Sequence, residues 1–371
     1  MNTAAYTSIV VKLGTSTLTA GTSFLSPARM VELVRQVAGL HNQGRQVVLV
    51  TSGAMAAGRE RLAFPQLPKE IPAKQMLSAV GQPRLMALYE QLFDIYRLTV
   101  AQVLLTRSDL ADRGRYLNSR NTLSALLSQR VIPIINENDT VAVEEIRLGD
   151  NDNLSALVAN LIEADLLVIL TDQAGLFSAD PRSNPNAQLI RDVSGPSIPK
   201  TIWEAVGDTG GKLGTGGMIT KLQAADLARR SGTTVVIAAG DEPDVLTRLA
   251  AGEAIGTRFA PVSTSLESRK RYILAGSRVP GALIVDAGAA RALRKGGSLL
   301  PVGVTSLSGK FDCGDTVKVL DMSGTEIARG LVNYSAADLA RIAGKKSAQL
   351  VSILGPDADD EVIHRNNLVL L

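Results

Sequence analysis

Between residues 8 and 239 the chain repeats one pattern: a short aliphatic run, then a longer stretch of helical period. The runs fall at 8–13, 46–50, 99–105, 131–135, 165–170 and 233–237, and Val, Ile and Leu dominate them. A strand with one wet face alternates apolar and polar residues. Continuous apolar strands are covered on both faces, so these six predict a mainly parallel sheet between two helical layers. Residues 26–44 typify the intervals. Ser26 and Pro27 supply an N-cap and a first helical proline, Met30, Leu33, Val34, Val37 and Leu40 share one face, and Gly44 stops the helix. The expected fold class is α/β, a three-layer αβα sandwich around a mainly parallel sheet. The apolar segment 76–92, with Leu77, Val80, Leu85, Met86, Leu88 and Leu92, reads as core helix or as a subunit contact.

The pattern changes after about residue 256. Residues 257–275 hold Arg258, Arg269, Lys270 and Arg271 with one acid, Glu267, and read as a connecting arm. Short β-rich runs follow at 282–285, 316–320 and 327–332, with turns at 295–297 and 323–324, and predict a second, small β-rich domain. The expected boundaries are 1–257 for the first domain, 258–277 for the linker and 278–371 for the second domain.

Composition narrows the chemistry. With 371 residues, 45% hydrophobic and 20% charged, disordered and fibrous classes are excluded. A net charge of +3 is too small for the whole chain to act as a polyelectrolyte on nucleic acid or an acidic membrane. The single cysteine, Cys313, makes no internal disulfide, and His41 and His364 lie near opposite ends, so zinc sites and histidine-dependent triads are poorly supplied. No run of 18 apolar residues occurs, and a cytoplasmic protein with no membrane partner is expected.

Ligands of open α/β sheets gather beyond the carboxyl ends of the strands. There the chain places Lys12 with Gly14 and Ser16, Thr51 with Ser52 and Gly53, Asn136 to Asp139, and Thr171 with Asp172. A further cluster, Gly210, Gly211, Gly214 and Gly216, precedes Gly217, Met218, Ile219, Thr220 and Lys221, where a helix opens. Glycines let backbone N–H groups approach an anion, and a helix start adds positive potential. Neither the Walker pattern nor G-x-G-x-x-G is present. Lys12 and Lys221 would grip phosphate oxygens from opposite sides, with Asp152 between them holding both ammonium groups. Asp150 or Asn151 would cap the helix beginning there, and metal binding is the alternative use of the acids in 135–139 and 149–153.

Taken in order, the segments at 12–16, 50–58, 135–139, 149–156, 170–172 and 214–221 resemble the glutamate 5-kinase family of the amino acid kinase superfamily, and the chain from about 279 is similar to a PUA domain. The resemblance implies ATP-dependent phosphorylation of the side-chain carboxylate of L-glutamate, the first step toward proline. It implies Lys12 and Lys221 on the ATP phosphates, Asp152 organising them, and Ser52, Asp139 and Asn151 holding glutamate. Thr171, Asp172, Thr215, Gly216, Gly217, Met218, Ile219 and Thr220 would line the nucleotide site with Lys221. Mg²⁺ would arrive with ATP, proline would inhibit at or beside the glutamate pocket, and a homo-oligomer (dimer or tetramer) is implied. Arg147 stands where the family pattern suggests lysine. The chemistry agrees with the residues available: a carboxylate is already ionised at pH 7 and needs no general base. The competing expectations are another small-carboxylate kinase of the superfamily and an RNA-binding role for the PUA-like part. Eleven Lys and Arg against ten Asp and Glu over 276–371 leave that part no broad basic footprint, although Arg291, Arg294 and Lys295 make a local one.

Overall fold

A computed structural model of the chain describes residues 6–68, 70–141, 151–207, 217–262, 264, 279–355 and 358–371. The chain divides into two compact units, one of Met1–Leu110 with Arg120–Ser265 and one of Ala111–Ser119 with Leu266–Leu371.

The first sheet comprises β1 (Ser8–Leu13), β2 (Gln46–Val50), β3 (Val100–Leu105), β4 (Ile132–Glu137), β5 (Leu166–Thr171), β6 (Asp192–Val193), β7 (Thr234–Ala239) and β8 (Thr257–Phe259). Its order is β3-β4-β2-β1-β5-β7-β8-β6. Every pairing from β3 to β7 is parallel, and β8 turns antiparallel against β7. The helices are α1 (Thr15–Thr19), α2 (Pro27–Asn42), α3 (Ala54–Arg61), α4 (Ile71–Asp94), α5 (Arg107–Ala111), α6 (Arg113–Ser128), α7 (Asn151–Leu161), α8 (Lys200–Gly207), α9 (Met218–Arg230) and α10 (Val245–Ala250). All six expected strands are present. The two additional ones, β6 and β8, are only two and three residues long and too short to show a period. The sheet therefore runs past the expected boundary at 257: Phe259 is buried, and the Ala260 amide donates to the Val193 carbonyl. Among the described residues, no helix is long and apolar enough to cross a membrane.

Strand alternation sorts the core into two faces. Ile9, Val11, Leu13, Val47, Leu49, Ile132, Ile134, Leu166, Val168 and Leu170 pack with residues of α2 and α4. The even positions of β1, Val10 and Lys12, point to the opposite layer, where α7 lies against β1 and β5 and α9 lies against α7 and β7. Helix α2 forms as its sequence dictates: Ser26 Oγ accepts from the Arg29 amide at 3.3 Å, Pro27 opens the helix, and Gly44 follows its end with φ +90°.

Segment 76–92 lies within α4 and turns Leu77, Leu85, Tyr89 and Leu92 into the core. Helix α4 crosses α3 at two glycines. A Cβ at Gly81 would stand 1.8 Å from the Ala54 carbonyl oxygen, and one at Gly58 would stand 1.9 Å from that of Leu77. Backbone cannot yield as a side-chain tip can, so Gly81→Ala is expected to destabilise the protein by about 3 kcal/mol, the upper part of the range for overpacked cores. Denaturant unfolding checks this, and an unchanged midpoint would show that the helices separate freely.

The second unit has a five-stranded sheet, ordered β10-β9-β11-β12-β13, from β9 (Gly281–Val285), β10 (Val304–Gly309), β11 (Thr316–Leu320), β12 (Glu326–Leu331) and β13 (Leu368–Leu370). Helices α11 (Ala287–Arg294), α12 (Ala336–Ile342) and α13 (Leu350–Leu354) accompany it. Leu283, Val285, Val317, Val319, Ala328, Leu339 and Ile342 share its core. The expected turns are present: Gly296 at φ +82° follows α11, and Gly324 at φ +83° reverses the chain between β11 and β12.

Candidate active site

Three elements deliver one charged cluster. Lys12 is the only charged residue of β1, and strand register aims it at the layer of α7 and α9. Asp152 sits in the first turn of α7 and Lys221 in the first turn of α9. Lys12 Nζ lies 2.5 Å from Asp152 Oδ1, and Lys221 Nζ lies 3.4 Å from Asp152 Oδ2. Thr220 Oγ1 donates to the same Oδ2 at 2.6 Å. Asp152 is 0% exposed, Lys12 5% and Lys221 6%.

Burial alone pushes the Asp152 carboxyl up, but the two ammonium groups and the hydrogen bonds outweigh it and hold the group below the ordinary carboxylate range. Lys221 is moved the other way. Its burial and the nearby Lys12 lower it below the ordinary lysine value, against the opposing attraction of Asp152 and Asp172. Two buried cations thus converge on one buried carboxylate at the strand ends, a setting that suits a polyanion.

The edges of this cluster are the other expected nucleotide residues. Thr171 ends β5, buried, with its Oγ1 donating to Asp172 Oδ1 at 3.0 Å. Gly217 immediately precedes α9 and has no side chain to cap it, and the start of this 13-residue helix carries positive potential that suits an anion beside Met218, Ile219 and Thr220. Thr215, Gly216 and the other loop glycines lie outside the described residues, as do Arg147, Gly149 and Asp150.

A second group adjoins the first, because Asn151 precedes Asp152 on α7. Asn151 Nδ2 is placed within hydrogen-bond reach of the Thr51 carbonyl (2.9 Å), Ser52 Oγ (3.0 Å) and Asn136 Oδ1 (3.1 Å). Its side chain thus ties β2 to β4. Asn151 is the first residue of α7, so its expected capping role is replaced by this bridge. Among the described residues its buried Oδ1 has no hydrogen-bond partner, which leaves an acceptor for an incoming donor.

Asp139 does not join Ser52 or Asn151 directly. It accepts from Ser78 Oγ of α4 at 2.7 Å, and burial raises its carboxyl above the ordinary value, with the Ser78 bond opposing. Sequence reasoning missed Ser78, the bridging role of Asn136, and the contact of Thr51 Oγ1 with Tyr89 OH at 2.8 Å. The one available signal was the polar row 75, 78 and 82 within an otherwise apolar stretch.

A strand-end lysine, a carboxylate at one helix start and a lysine at another make an architecture that sequence comparison can place. Residues 7–239 match the amino acid kinase family, and residues 281–354 match the PUA domain. The chain belongs to the amino acid kinase family. Within that family it groups with the glutamate 5-kinases. The glutamate 5-kinase of Photobacterium profundum is 55% identical over 364 residues, covering 98% of this chain and 96% of its own. That of Herpetosiphon aurantiacus is 57% identical over 362 residues, with 97% of each chain covered. That of Shewanella oneidensis is 54% identical over 368 residues, with 99% and 98% covered. The kinase-family match spans both side-chain groups, and all of their members lie in the first compact unit.

Proposed function

We infer that this protein transfers the γ-phosphoryl group of ATP to the side-chain carboxylate of L-glutamate, giving L-glutamyl 5-phosphate for proline synthesis in the cytoplasm. One observation carries the reaction type: Lys12 and Lys221, from two different elements, converge on buried Asp152. The choice of glutamate rests on the relatives and their near-complete coverage.

The obstacle in this reaction is repulsion between an anionic nucleophile and an anionic triphosphate. In this reading Lys12 and Lys221 take the phosphate oxygens, and Asp152 fixes the separation of their Nζ atoms. Gly217, Met218, Ile219 and Thr220 offer the start of α9 to the nucleotide, with Thr171 and Asp172 as a wall. Among the described residues no three His, Cys, Asp or Glu side chains form a metal-sized cluster. In this reading Mg²⁺ arrives with ATP and is carried mainly by phosphate oxygens and water. When bound, that ion supplies further neutralisation of phosphate charge.

On the acceptor side, Ser52, Asn151 and Asp139 would hold glutamate. Asp139 takes the α-ammonium, and the orphaned Asn151 Oδ1 supplies a second acceptor. Proline carries a ring ammonium beside its α-carboxylate, the same pair of charges on one carbon, and would compete there. Asp139→Ala is accordingly expected to raise the KM for glutamate about tenfold or more while moving that for ATP little. Steady-state kinetics with each substrate varied checks this, and an unchanged glutamate KM removes Asp139 from the pocket.

The function itself is tested by supplying glutamate, aspartate, N-acetylglutamate and UMP separately with Mg-ATP. ADP release reads turnover in each case, and hydroxylamine traps the acyl phosphates. Hydroxamate with glutamate alone is the expected outcome. Turnover confined to aspartate, to N-acetylglutamate or to UMP overturns the assignment.

A further inference from the structure

Helix α4 presents a polar row to the end of β4. Gln75, Ser78 and Gln82 recur at three- and four-residue spacing, which places them on one side of the helix. Gln75 Nε2 donates to the Thr140 carbonyl at 3.2 Å, Ser78 Oγ donates to Asp139 Oδ2 at 2.7 Å, and Gln82 Oε1 accepts from Asn136 Nδ2 at 2.8 Å. As α4 runs forward its partners run backward, 140, 139, 136, so the helix laces the segment leaving β4 along its length.

Ser78 is the central stitch and is 3% exposed. A serine inside a helix usually bonds its own backbone or faces water. This one reaches out of the helix to a carboxylate, and among the described residues Asp139 Oδ1 accepts no hydrogen bond of its own. The backbone of α4 is equally fixed. Its glycine crossing with α3 anchors it to the helix that begins at Ala54, two residues beyond Ser52. One helix pair thus constrains both segments that carry the acceptor-side residues.

We propose that Ser78 is a positioning residue for recognition of the amino-acid substrate: its hydroxyl holds Asp139 Oδ2 and so presents Oδ1 to the substrate's α-ammonium group. This rests on the reading of Asp139 given above. Ser78 acts through Asp139 and does not touch the reacting atoms, so its loss weakens glutamate binding and leaves phosphoryl transfer intact.

The test compares the full-length parent with Ser78→Ala, Ser78→Thr, Asp139→Asn and the double variant Ser78→Ala/Asp139→Asn, by steady-state kinetics and thermal unfolding. Ser78→Ala is expected to raise the glutamate KM about tenfold or more, the scale of one hydrogen bond to a charged group, with kcat and the ATP KM within about twofold of the parent. Ser78→Thr keeps the hydroxyl and holds the glutamate KM near the parent value. In the double variant the serine substitution adds nothing to Asp139→Asn, because the two groups act as one.

A normal glutamate KM in Ser78→Ala, beside a raised one in Asp139→Asn, overturns the inference and leaves the reading of Asp139 standing. A normal KM in Asp139→Asn overturns that reading itself. A Ser78→Ala variant that loses kcat, both KM values and thermal stability together shows a packing role and also overturns the inference. Additive effects in the double variant, or a Ser78→Thr variant as impaired as Ser78→Ala, do the same.

Discussion

Lys221→Ala is expected to lower kcat by about 10²-fold or more, the scale of removing one preorganised charge-stabilising donor, while glutamate binding survives. Lys221 lies in the first turn of α9 and shares Asp152 with Lys12, so its loss removes one of the two cations placed to follow charge on the moving phosphoryl group. Stability is expected to behave in the opposite sense. Burial and Lys12 lower the Lys221 ammonium below the ordinary lysine value, so folding works against its charged form. Alanine removes that penalty and leaves Lys12 paired with Asp152, and Tm should hold or rise. The same lowering predicts that kcat/KM for ATP falls as pH rises through a value below the usual lysine range. A guanidinium does not deprotonate there, so Lys221→Arg should flatten that limb. Turnover of Lys221→Ala near that of the parent would remove this residue from the chemistry.

Such a charge-stability conflict marks the part of the site that the sequence announces. Lys12 stands out because a lysine ending an aliphatic strand needs a partner, and Lys221 because glycines crowd before its helix. The structure brings both to Asp152, a meeting that spacing alone does not dictate. The acceptor side was legible only in part. Asn151 looked like a helix cap as much as a ligand, since short polar residues before an apolar period serve either use. Its contacts to Thr51, Ser52 and Asn136 depend on β2 and β4 lying side by side. Ser78 and Gln82 carried still less signal. A serine or glutamine in a helix is chemically unremarked until its helix is laid against a particular strand end, and α4 is placed by its backbone contact at Gly58 and Gly81. For the fold, six aliphatic runs sufficed for the central strands. The short strands β6 and β8 escaped because hydrogen bonding to neighbours, rather than their own apolar content, makes them strands.

Asp152→Asn is expected to impair both properties that Lys221→Ala separates. The carboxylate is 0% exposed and stands between two cations of 5% and 6% exposure, so neutralising it removes the charge that both buried ammonium groups share. Breaking a buried pair in this way costs about 3–5 kcal/mol. In a domain of this size that corresponds to a fall in Tm of about 10 °C. The sign with pH follows from the depressed folded value of Asp152. Its contribution is fully present above the ordinary aspartate range, near pH 4, and is lost only as pH falls through the lower folded value. The gap in Tm between parent and variant is therefore full at pH 7 and closes only under acid. Kinetics should split in a matching way. Removing a negative charge beside two cations does not weaken attraction for a triphosphate, so the KM for ATP should stay level or fall, and added ATP should recover part of the lost Tm. Both Nζ atoms lose the group that sets their separation, and kcat should drop about 10²-fold. Calorimetry at pH 7 and stepwise below pH 4, with and without ATP, and steady-state kinetics check each of these. A variant with parental Tm and a raised ATP KM would show that Asp152 serves the nucleotide directly and does not hold the lysines.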